Sequence, residues 1–234
     1  MPVYLLDDED CGFPDVEQAT QEGLLAIGGD LSPERLINAY ASGIFPWYSE
    51  GEPIMWWSPD PRMLLYPEKF KASKSLLQTI RNKKYQLCFD RDFETVIQHC
   101  ANVKREHEEG TWITDEMIQA YVELHKMGIA HSVETYMDGR LVGGLYGISL
   151  GKAFFGESMF FLERDASKAA FYHLVEFSKK MNFSFIDTQI ETNHLESMGA
   201  EKILRKDFIN LLNQSLESNT LNFNWNDSDN NQLH

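Results

Sequence analysis

The chain has 234 residues, of which 43% are apolar and 24% are charged, and its formal net charge at pH 7 is −15. This composition excludes collagen-like, disulfide-framework and wholly disordered chains. No apolar run approaches the roughly 20 residues that a membrane-spanning helix needs, and the acidic residues 7–10 are unlike the start of a signal peptide, so we expect a cytoplasmic protein.

The first 62 residues predict a small N-terminal domain with irregular structure and one helix. Ser32 is suited to cap that helix, Pro33 to its first turn and Gly43 to its end. Three prolines between residues 53 and 61 mark the boundary to the next domain. The segment carries twelve acidic and two basic residues, so its surface is strongly negative.

Residues 63–216 alternate between helical and strand patterns, which predicts a second domain. Helical periodicity is found in 73–84, 90–103, 114–128, from 165, and in 206–216, and strand patterns are found in 85–89, 130–137, 140–149, 152–160 and 183–189. Asp90, Thr114 and Asp165 are suited to cap three of these helices. The order predicts an α+β fold with a mixed, mainly antiparallel sheet. Residues 217–234 are rich in Asn and predict a flexible tail.

Cysteine and histidine positions give no disulfide or metal pattern. Cys11, Cys88 and Cys100 are far apart, and the seven histidines include no H-E-x-x-H. We therefore expect reduced thiols and no metal ion.

A basic segment interrupts the acidic chain between residues 69 and 89, where six basic residues occur without any acid. The six are Lys69, Lys71, Lys74, Arg81, Lys83 and Lys84. A local excess of positive charge indicates a contact with nucleic-acid phosphates. A solvated helix face explains it equally well.

Four tryptophans lie in loop-like sequence. Trp47, Trp56 and Trp57 fall in a Pro-rich stretch, and Trp112 falls in a polar one. Indoles on loops often stack on nucleotide bases, each stack contributing about 1–3 kcal/mol. The alternative is that some of them only join the two parts of the chain as core residues.

Asp187 and Gln189 are two residues apart on a predicted strand, so we expect their side chains on one face of the sheet. Glu157 and Met159 have the same spacing on a neighbouring strand, so we expect them to share a face as well. Burying a carboxylate beside an amide costs several kcal/mol unless both are partnered. The pair therefore indicates either a functional site or a satisfied polar network.

Seven sequence blocks between residues 23 and 213 resemble, in order, the bacterial leucyl/phenylalanyl-tRNA–protein transferase family. They are GGDL (28–31), GIFPW (43–47), WWSPDPR (56–62), EGTWIT (109–114), GGLYG (143–147), GESMF (156–160) and IDTQ (186–189). The resemblance implies a small N-terminal domain on a C-terminal N-acyltransferase (acetyltransferase-like) fold. It also implies transfer of Leu, Phe or, less well, Met from aminoacyl-tRNA to the N-terminal Arg or Lys of acceptor proteins, which marks them for N-degron degradation.

The resemblance further implies roles for individual residues. Asp187 and Gln189 correspond to the catalytic pair, and Glu157 and Ser158 to residues that hold the aminoacyl end. Trp47 and Trp112 correspond to aromatics around the terminal adenosine of the tRNA, and the six basic residues to contacts with the acceptor stem. The apolar side-chain pocket corresponds to Leu145, Phe154, Met159, Phe171 and Leu174. Because converting an ester to an amide is downhill, we expect no cofactor, and we expect a monomer.

Three other interpretations stay open. A coenzyme A-dependent N-acetyltransferase of the same fold would hold its pyrophosphate with a glycine-rich turn, whereas residues 160–167 contain no glycine and two acids. A non-catalytic module would bind aminoacyl-tRNA and leave its amino acid in place. A peptidoglycan-type aminoacyl transferase would use a sugar-peptide acceptor.

Overall fold

The computed structural model describes residues 3–7, 9–103 and 112–226, and within these ranges the chain forms seven α-helices and eleven β-strands in two sheets. Glu109, Gly110 and Thr111 of the EGTWIT block lie outside the described residues, as do residues 227–234 of the expected tail. The prediction of an α+β fold is confirmed.

The smaller sheet and one helix are built by the first part of the chain. Its strands are β1 (Tyr4–Leu6), β2 (Leu24–Gly28), β3 (Phe45–Pro46) and β4 (Met55–Trp57), in the order β1-β2-β4-β3. The helix, α1 (Pro33–Ala41), begins after Ser32, whose hydroxyl accepts a hydrogen bond from the Arg35 backbone. The expected cap is confirmed, but the strands contain only two to five residues each and were not predicted.

The larger sheet supplies most of the scaffold. Its strands are β5 (Arg62–Leu65), β6 (Gln86–Phe89), β7 (Ala130–Met137), β8 (Arg140–Leu150), β9 (Ala153–Phe161), β10 (Phe185–Gln189) and β11 (Glu201–Ile203), in the order β11-β5-β10-β9-β8-β7-β6. Strands β9 and β10 pair in parallel, and the other described neighbours are antiparallel. The predicted mixed, mainly antiparallel sheet is confirmed. Residue 62 remains our proposed domain boundary.

Helices cover both faces of the larger sheet. They are α2 (Lys74–Arg81), α3 (Phe93–Ala101), α4 (Asp115–Lys126), α5 (Ala166–Lys180), α6 (Asn193–Ser197) and α7 (Arg205–Leu216). One apolar core joins α1, α3, α4 and α7 to one face of the sheet, and a second core joins α5 to the other face. The sheet is therefore buried on both sides, and polar groups inside it need partners from the protein.

The segment after α7 is not a flexible tail as far as the structure describes it. Trp225 is fully buried in the second core, and its indole stacks on the His131 ring at 3.8 Å. Its backbone N–H donates to the Asp90 carboxylate (2.7 Å). The expectation is wrong for this stretch because burial of one large indole offsets the cost of ordering polar neighbours.

Candidate active site

A cavity of about 470 Å³ opens between the first part of the chain and the larger sheet, within the size range of small-molecule sites. Among the described residues, nine of those singled out from the sequence line it. They are Trp47, Trp112, Leu145, Glu157, Ser158, Met159, Phe171, Leu174 and Gln189. The fold thus gathers residues from β8, β9, β10 and α5, together with two loop indoles, around one space.

One part of the cavity is an apolar compartment. Leu145, Phe171 and Leu174 are almost fully buried, and Ile186 and Leu195, which were not predicted, extend the same wall. Phe154 lies outside this lining. It is fully buried beside Ile186 in the sheet, and its ring centroid is 5.9 Å from that of Trp225.

The four loop tryptophans occupy different environments. Trp47 is 38% exposed and Trp112 is half-buried, and both line the cavity. The Trp57 ring lies 5.8 Å from that of Trp47, and its indole N–H donates to the Trp47 carbonyl (2.7 Å). Trp56 is fully buried and donates to the Gly28 carbonyl. Trp47 and Trp112 therefore line the cavity, Trp57 supports Trp47, and Trp56 is a core residue.

Glu157 projects from a bulge in β9. Tyr146 pairs with Ser158 and Gly147 pairs with Gly156, so Glu157 is the extra residue between two regular pairs. Its Oε1 accepts a hydrogen bond from the Gln189 side-chain amide at 2.8 Å. The bulge thereby brings a carboxylate and an amide together at the cavity wall.

Two buried tyrosines complete the contacts of Glu157. The Tyr121 hydroxyl donates to Oε2 of Glu157 at 3.1 Å and is itself hydrogen-bonded to the Tyr40 hydroxyl. Because the Tyr121 proton is used on Glu157, Tyr40 must donate to Tyr121. A directed chain therefore runs from α1 through α4 to β9. Sequence reasoning missed both tyrosines, since their spacing in amphipathic helices is also that of ordinary core residues.

The surroundings of Glu157 shift its titration. Burial raises the pKa of its carboxyl from 4.5 to about 7, and the nearby charge of Asp187 adds to the rise, whereas the hydrogen bonds from Gln189 and from Tyr121, itself hydrogen-bonded to Tyr40, oppose it. A carboxyl with a pKa near 7 both accepts and releases a proton at neutral pH.

Asp187 lies beneath Gln189 and outside the cavity lining. It is fully buried, and its two carboxylate oxygens accept hydrogen bonds from Arg62 Nε and Nη2 at 2.7–3.1 Å. The Arg62 guanidinium lies 4.7 Å from the ring centroids of both Phe45 and Phe208. Asp187 Oδ1 also accepts from the Gln189 backbone N–H at 2.8 Å, where the chain turns with φ +60°. Asp187 therefore fixes the backbone from which Gln189 reaches the cavity.

The six basic residues lie on the surface, on α2 and the segments beside it, and line no part of the cavity. Lys69 is paired with Glu201 at 2.7 Å, and Lys84 lies 4.0 Å from Glu163. All six side chains are exposed and accessible to a large anionic partner.

Comparisons with known proteins decide the family. The model of the leucyl/phenylalanyl-tRNA protein transferase family matches residues 64–213, and the model of the N-terminal domain of that family matches residues 29–60. The chain belongs to the leucyl/phenylalanyl-tRNA–protein transferase family. The resemblance noted in the sequence is confirmed. This transferase is an aminoacyltransferase, and aminoacyl-tRNA is its substrate.

Relatives named leucyl/phenylalanyl-tRNA–protein transferase match over nearly their whole length. The protein from Desulfatibacillum aliphaticivorans is 56% identical, over 96% of this chain and 96% of its own. The protein from Thermodesulfovibrio yellowstonii is 55% identical, over 96% of this chain and 91% of its own. A solved GCN5-related N-acetyltransferase-like protein from Streptococcus suis is 11% identical with a TM-score of 0.36, covering 69% of this chain and 59% of that chain.

Two kinds of feature are absent from the described part of this transferase. Within residues 3–7, 9–103 and 112–226, no group of three or more His, Cys, Asp or Glu side chains is arranged to hold a metal ion. In the same ranges, no helix is both long and apolar enough to span a membrane.

Proposed function

We propose that this transferase moves Leu or Phe, and less well Met, from aminoacyl-tRNA to the N-terminal Arg or Lys of acceptor proteins, which then enter N-degron degradation. It acts as a monomer without metal or cofactor, in the cytoplasm, where aminoacyl-tRNA is made. The observation that carries the proposal is one cavity that combines an apolar compartment, two indoles, and the hydrogen-bonded pair Glu157 and Gln189.

The donor fits the cavity by stacking and by shape. The terminal adenosine stacks on Trp47 and Trp112, and the amino-acid side chain enters the compartment between Leu145 and Phe171. A wall of aliphatic and aromatic side chains suits the apolar side chains of Leu, Phe and Met. A β-branched side chain is disfavoured by shape alone, at about 1–3 kcal/mol per misfit group.

Transfer needs a neutral amine held against the ester. An α-amine has a pKa of roughly 7.7–8, so a useful fraction is already neutral at physiological pH. The amine nitrogen attacks the acyl carbon, the bond to the ribose oxygen breaks, and Glu157 takes up the amine proton, which finally reaches the leaving oxygen. Gln189 donates a hydrogen bond from its side-chain amide to Glu157, so the side-chain carbonyl oxygen of Gln189 is available to orient the amine. Positioning of this kind supplies about 7–11 kcal/mol of the barrier.

Asp187 acts in this scheme by position. Its two oxygens are occupied by Arg62 and by the Gln189 backbone, so it holds Gln189 in place and carries no proton to the substrate. This supports a positioning role for one member of the expected catalytic pair and direct contact with the substrate for the other.

The acceptor preference is supported by charge beside the cavity. A depression lined by Glu50, Glu52, Asp115 and Glu116 adjoins it, since Tyr48 and Ile113 of that depression follow Trp47 and Trp112 of the cavity directly in the chain. Negative charge there attracts a peptide that begins with Arg or Lys.

The test is incubation of the wild-type protein with radiolabelled Phe-tRNA and a model peptide that begins with Arg. Label is expected in the peptide without acetyl-coenzyme A or added metal. An otherwise identical peptide that begins with Ala is expected to receive much less label. Gln189→Ala is expected to lower kcat by about 100-fold, the scale of losing a positioned polar group. Binding of Phe-tRNA without transfer contradicts the proposal in favour of a tRNA-binding module, and turnover only with acetyl-coenzyme A contradicts it in favour of an acetyltransferase.

A further inference from the structure

Two adjacent apolar side chains stand out from the surface at the end of β9. Phe161 is 65% exposed and Leu162 is 62% exposed, whereas most large apolar side chains in the described chain are buried. Single exposed apolar residues are ordinary, but a neighbouring pair that includes an aromatic ring marks a contact surface. Neither residue takes part in the cavity or in either core.

The strand register places Phe161 at the rim of the cavity. Met159 pairs with Leu145 and Phe161 pairs with Gly143, with no bulge between them. Side chains two apart on a regular strand point to the same face, about 7 Å from one another. Because Met159 lines the cavity, Phe161 continues the same face just outside it.

The basic segment meets this rim. The Tyr85 hydroxyl donates to the Arg164 carbonyl at 2.6 Å, and Lys84 lies 4.0 Å from Glu163, so residues 83–85 lie against the turn that follows Phe161.

The charged groups at this turn favour an anionic partner. The cations are Lys83, Lys84, Arg164 and Lys168, and the carboxylates are Glu163 and Asp165. On a chain of net charge −15, this local positive excess suits a phosphate backbone and repels an Arg- or Lys-led peptide.

We propose that Phe161 is a stacking platform for an unpaired base of the tRNA 3′ end, next to the terminal adenosine that enters the cavity. The inference rests on the proposed function, because it requires that adenosine in the cavity. Every base offers a face for stacking, so the platform adds affinity for single-stranded RNA without demanding a sequence. The lysines and Arg164 hold the adjoining phosphates.

The experiment compares two donors, Phe-tRNA and the minimal donor phenylalanyl-adenosine, with Phe161→Ser and the wild type. For Phe161→Ser, the KM for Phe-tRNA is expected to rise about 5- to 150-fold with kcat unchanged, which is the effect of losing one stacked base. The KM for phenylalanyl-adenosine is expected to stay within twofold, because that donor lacks the second base. Phe161→Tyr restores the ring and is expected to restore the KM for Phe-tRNA.

Leu5→Ser is the matched control, since Leu5 is 81% exposed and belongs to the smaller sheet. An unchanged KM for Phe-tRNA in Phe161→Ser overturns the platform. An equal rise in KM for both donors also overturns it, because phenylalanyl-adenosine occupies only the cavity and the substitution would then act there. A raised KM for the peptide alone assigns the surface to the acceptor and contradicts an RNA contact.

Direct binding separates failure of the platform from failure of the proposed function. Affinity of each variant for fluorescently labelled tRNA is measured in a titration that requires no transfer. If the wild type transfers nothing, the proposed function fails, and weaker binding by Phe161→Ser still supports the platform. Equal affinity of Phe161→Ser and the wild type overturns it.

Discussion

Arg62 and Asp187 form an ion pair in which both side chains are fully excluded from solvent. Removing one partner of such a pair leaves a buried charge without compensation, which costs about 3–5 kcal/mol. We therefore expect Asp187→Asn to lower the free energy of unfolding by about that amount, measured by urea denaturation.

The exposed pair Lys69 and Glu201 provides the control. Its side chains are 54% and 43% exposed, so Glu201→Gln is expected to change the free energy of unfolding by at most about 1 kcal/mol. The double variant Arg62→Met/Asp187→Leu is expected to be more stable than Asp187→Asn, because it leaves no charge behind. Equal stability of Asp187→Asn and the wild type would show that the buried pair is dispensable.

Glu157 links catalysis to pH-dependent stability. Its pKa is 4.5 in the unfolded chain and about 7 in the fold because burial disfavours the charged form. The folded protein binds this proton more tightly, so the contribution of Glu157 to stability is complete below pH 4.5 and is lost as the pH rises through 7. Relative to Glu157→Gln, we expect the wild type to lose about 3 kcal/mol over that window, at 1.36 kcal/mol per pKa unit.

The measurement is denaturant unfolding of both proteins at several pH values. Glu134→Gln is expected to give a similar difference, because burial also raises the pKa of Glu134 to about 7. Glu134 does not line the cavity, so this second variant is expected to keep transferase activity. Parallel curves for Glu157→Gln and the wild type would contradict a raised pKa.

At the scale of elements, the chain of hydrogen bonds from α1 through α4 to β9 connects the first part of the protein to the active site. The first part of the protein thereby supports the position of Glu157. Tyr121→Phe removes the donor to Glu157 Oε2. Losing a hydrogen bond to a charged group costs about 1.5–3 kcal/mol, which corresponds to one to two pKa units. We expect the pH at which kcat reaches half its plateau to move upward by that amount.

Tyr136→Phe is the control for Tyr121→Phe. Tyr136 is also a buried tyrosine, but it lies in β7 with its ring beneath the Arg91 guanidinium, 4.4 Å from it. Its pH–rate profile is expected to match that of the wild type. A general loss of activity in Tyr121→Phe without a shifted profile would indicate a structural role only.

The sequence predicted helix starts and turns well where the backbone preference of one or two residues determines them. Thr114 accepts a hydrogen bond from the Met117 backbone at the start of α4, as its position predicts. Asp138 and Gly139 both adopt positive φ in the turn between β7 and β8. Asp90 differs, since its carboxylate accepts from His131 and from the Ser132 backbone in place of capping a helix.

The site itself depended on features that no local pattern shows. The bulge at Glu157 and the positive φ of Gln189 break the two-residue period of a strand, so spacing alone does not determine where these side chains point. Arg62 was visible within the WWSPDPR block, but its partner Asp187 is 125 residues away. Gathering residues at such separations is a property of the tertiary fold.

The C-terminal segment shows how one side chain orders an element. Trp225 packs against the rings of His131 and Phe177 at centroid distances of 3.8 and 4.5 Å. Trp225→Ala is expected to lower the free energy of unfolding by about 3–5 kcal/mol, since it leaves a large cavity. Phe223→Ala is the control, because Phe223 is 42% exposed and should cost much less. Equal effects in a denaturation experiment would contradict docking through Trp225.

At the scale of the whole molecule, charge is distributed unevenly. The chain is strongly acidic, yet the exposed lysines near α2 form a basic surface that leads toward the cavity rim. Each phosphate contact releases counterions from the tRNA. The number of phosphate contacts therefore sets how steeply the affinity for tRNA falls as the salt concentration rises. The attraction or repulsion due to net charge alone needs no direct contact, but at 0.1 M salt it is largely screened beyond about 10 Å.

Charge reversal separates these two effects. Lys83→Glu/Lys84→Glu is expected to raise the KM for aminoacyl-tRNA and to reduce the slope of log KM against log salt by about two, one for each lost phosphate contact. Lys126→Glu/Lys179→Glu changes the net charge equally at the ends of α4 and α5, outside the basic segment. Its slope is expected to match that of the wild type, because no phosphate contact is removed. If the two double variants behave alike across 50–200 mM salt, a range over which contacts are resolved, the basic segment contributes only to net charge.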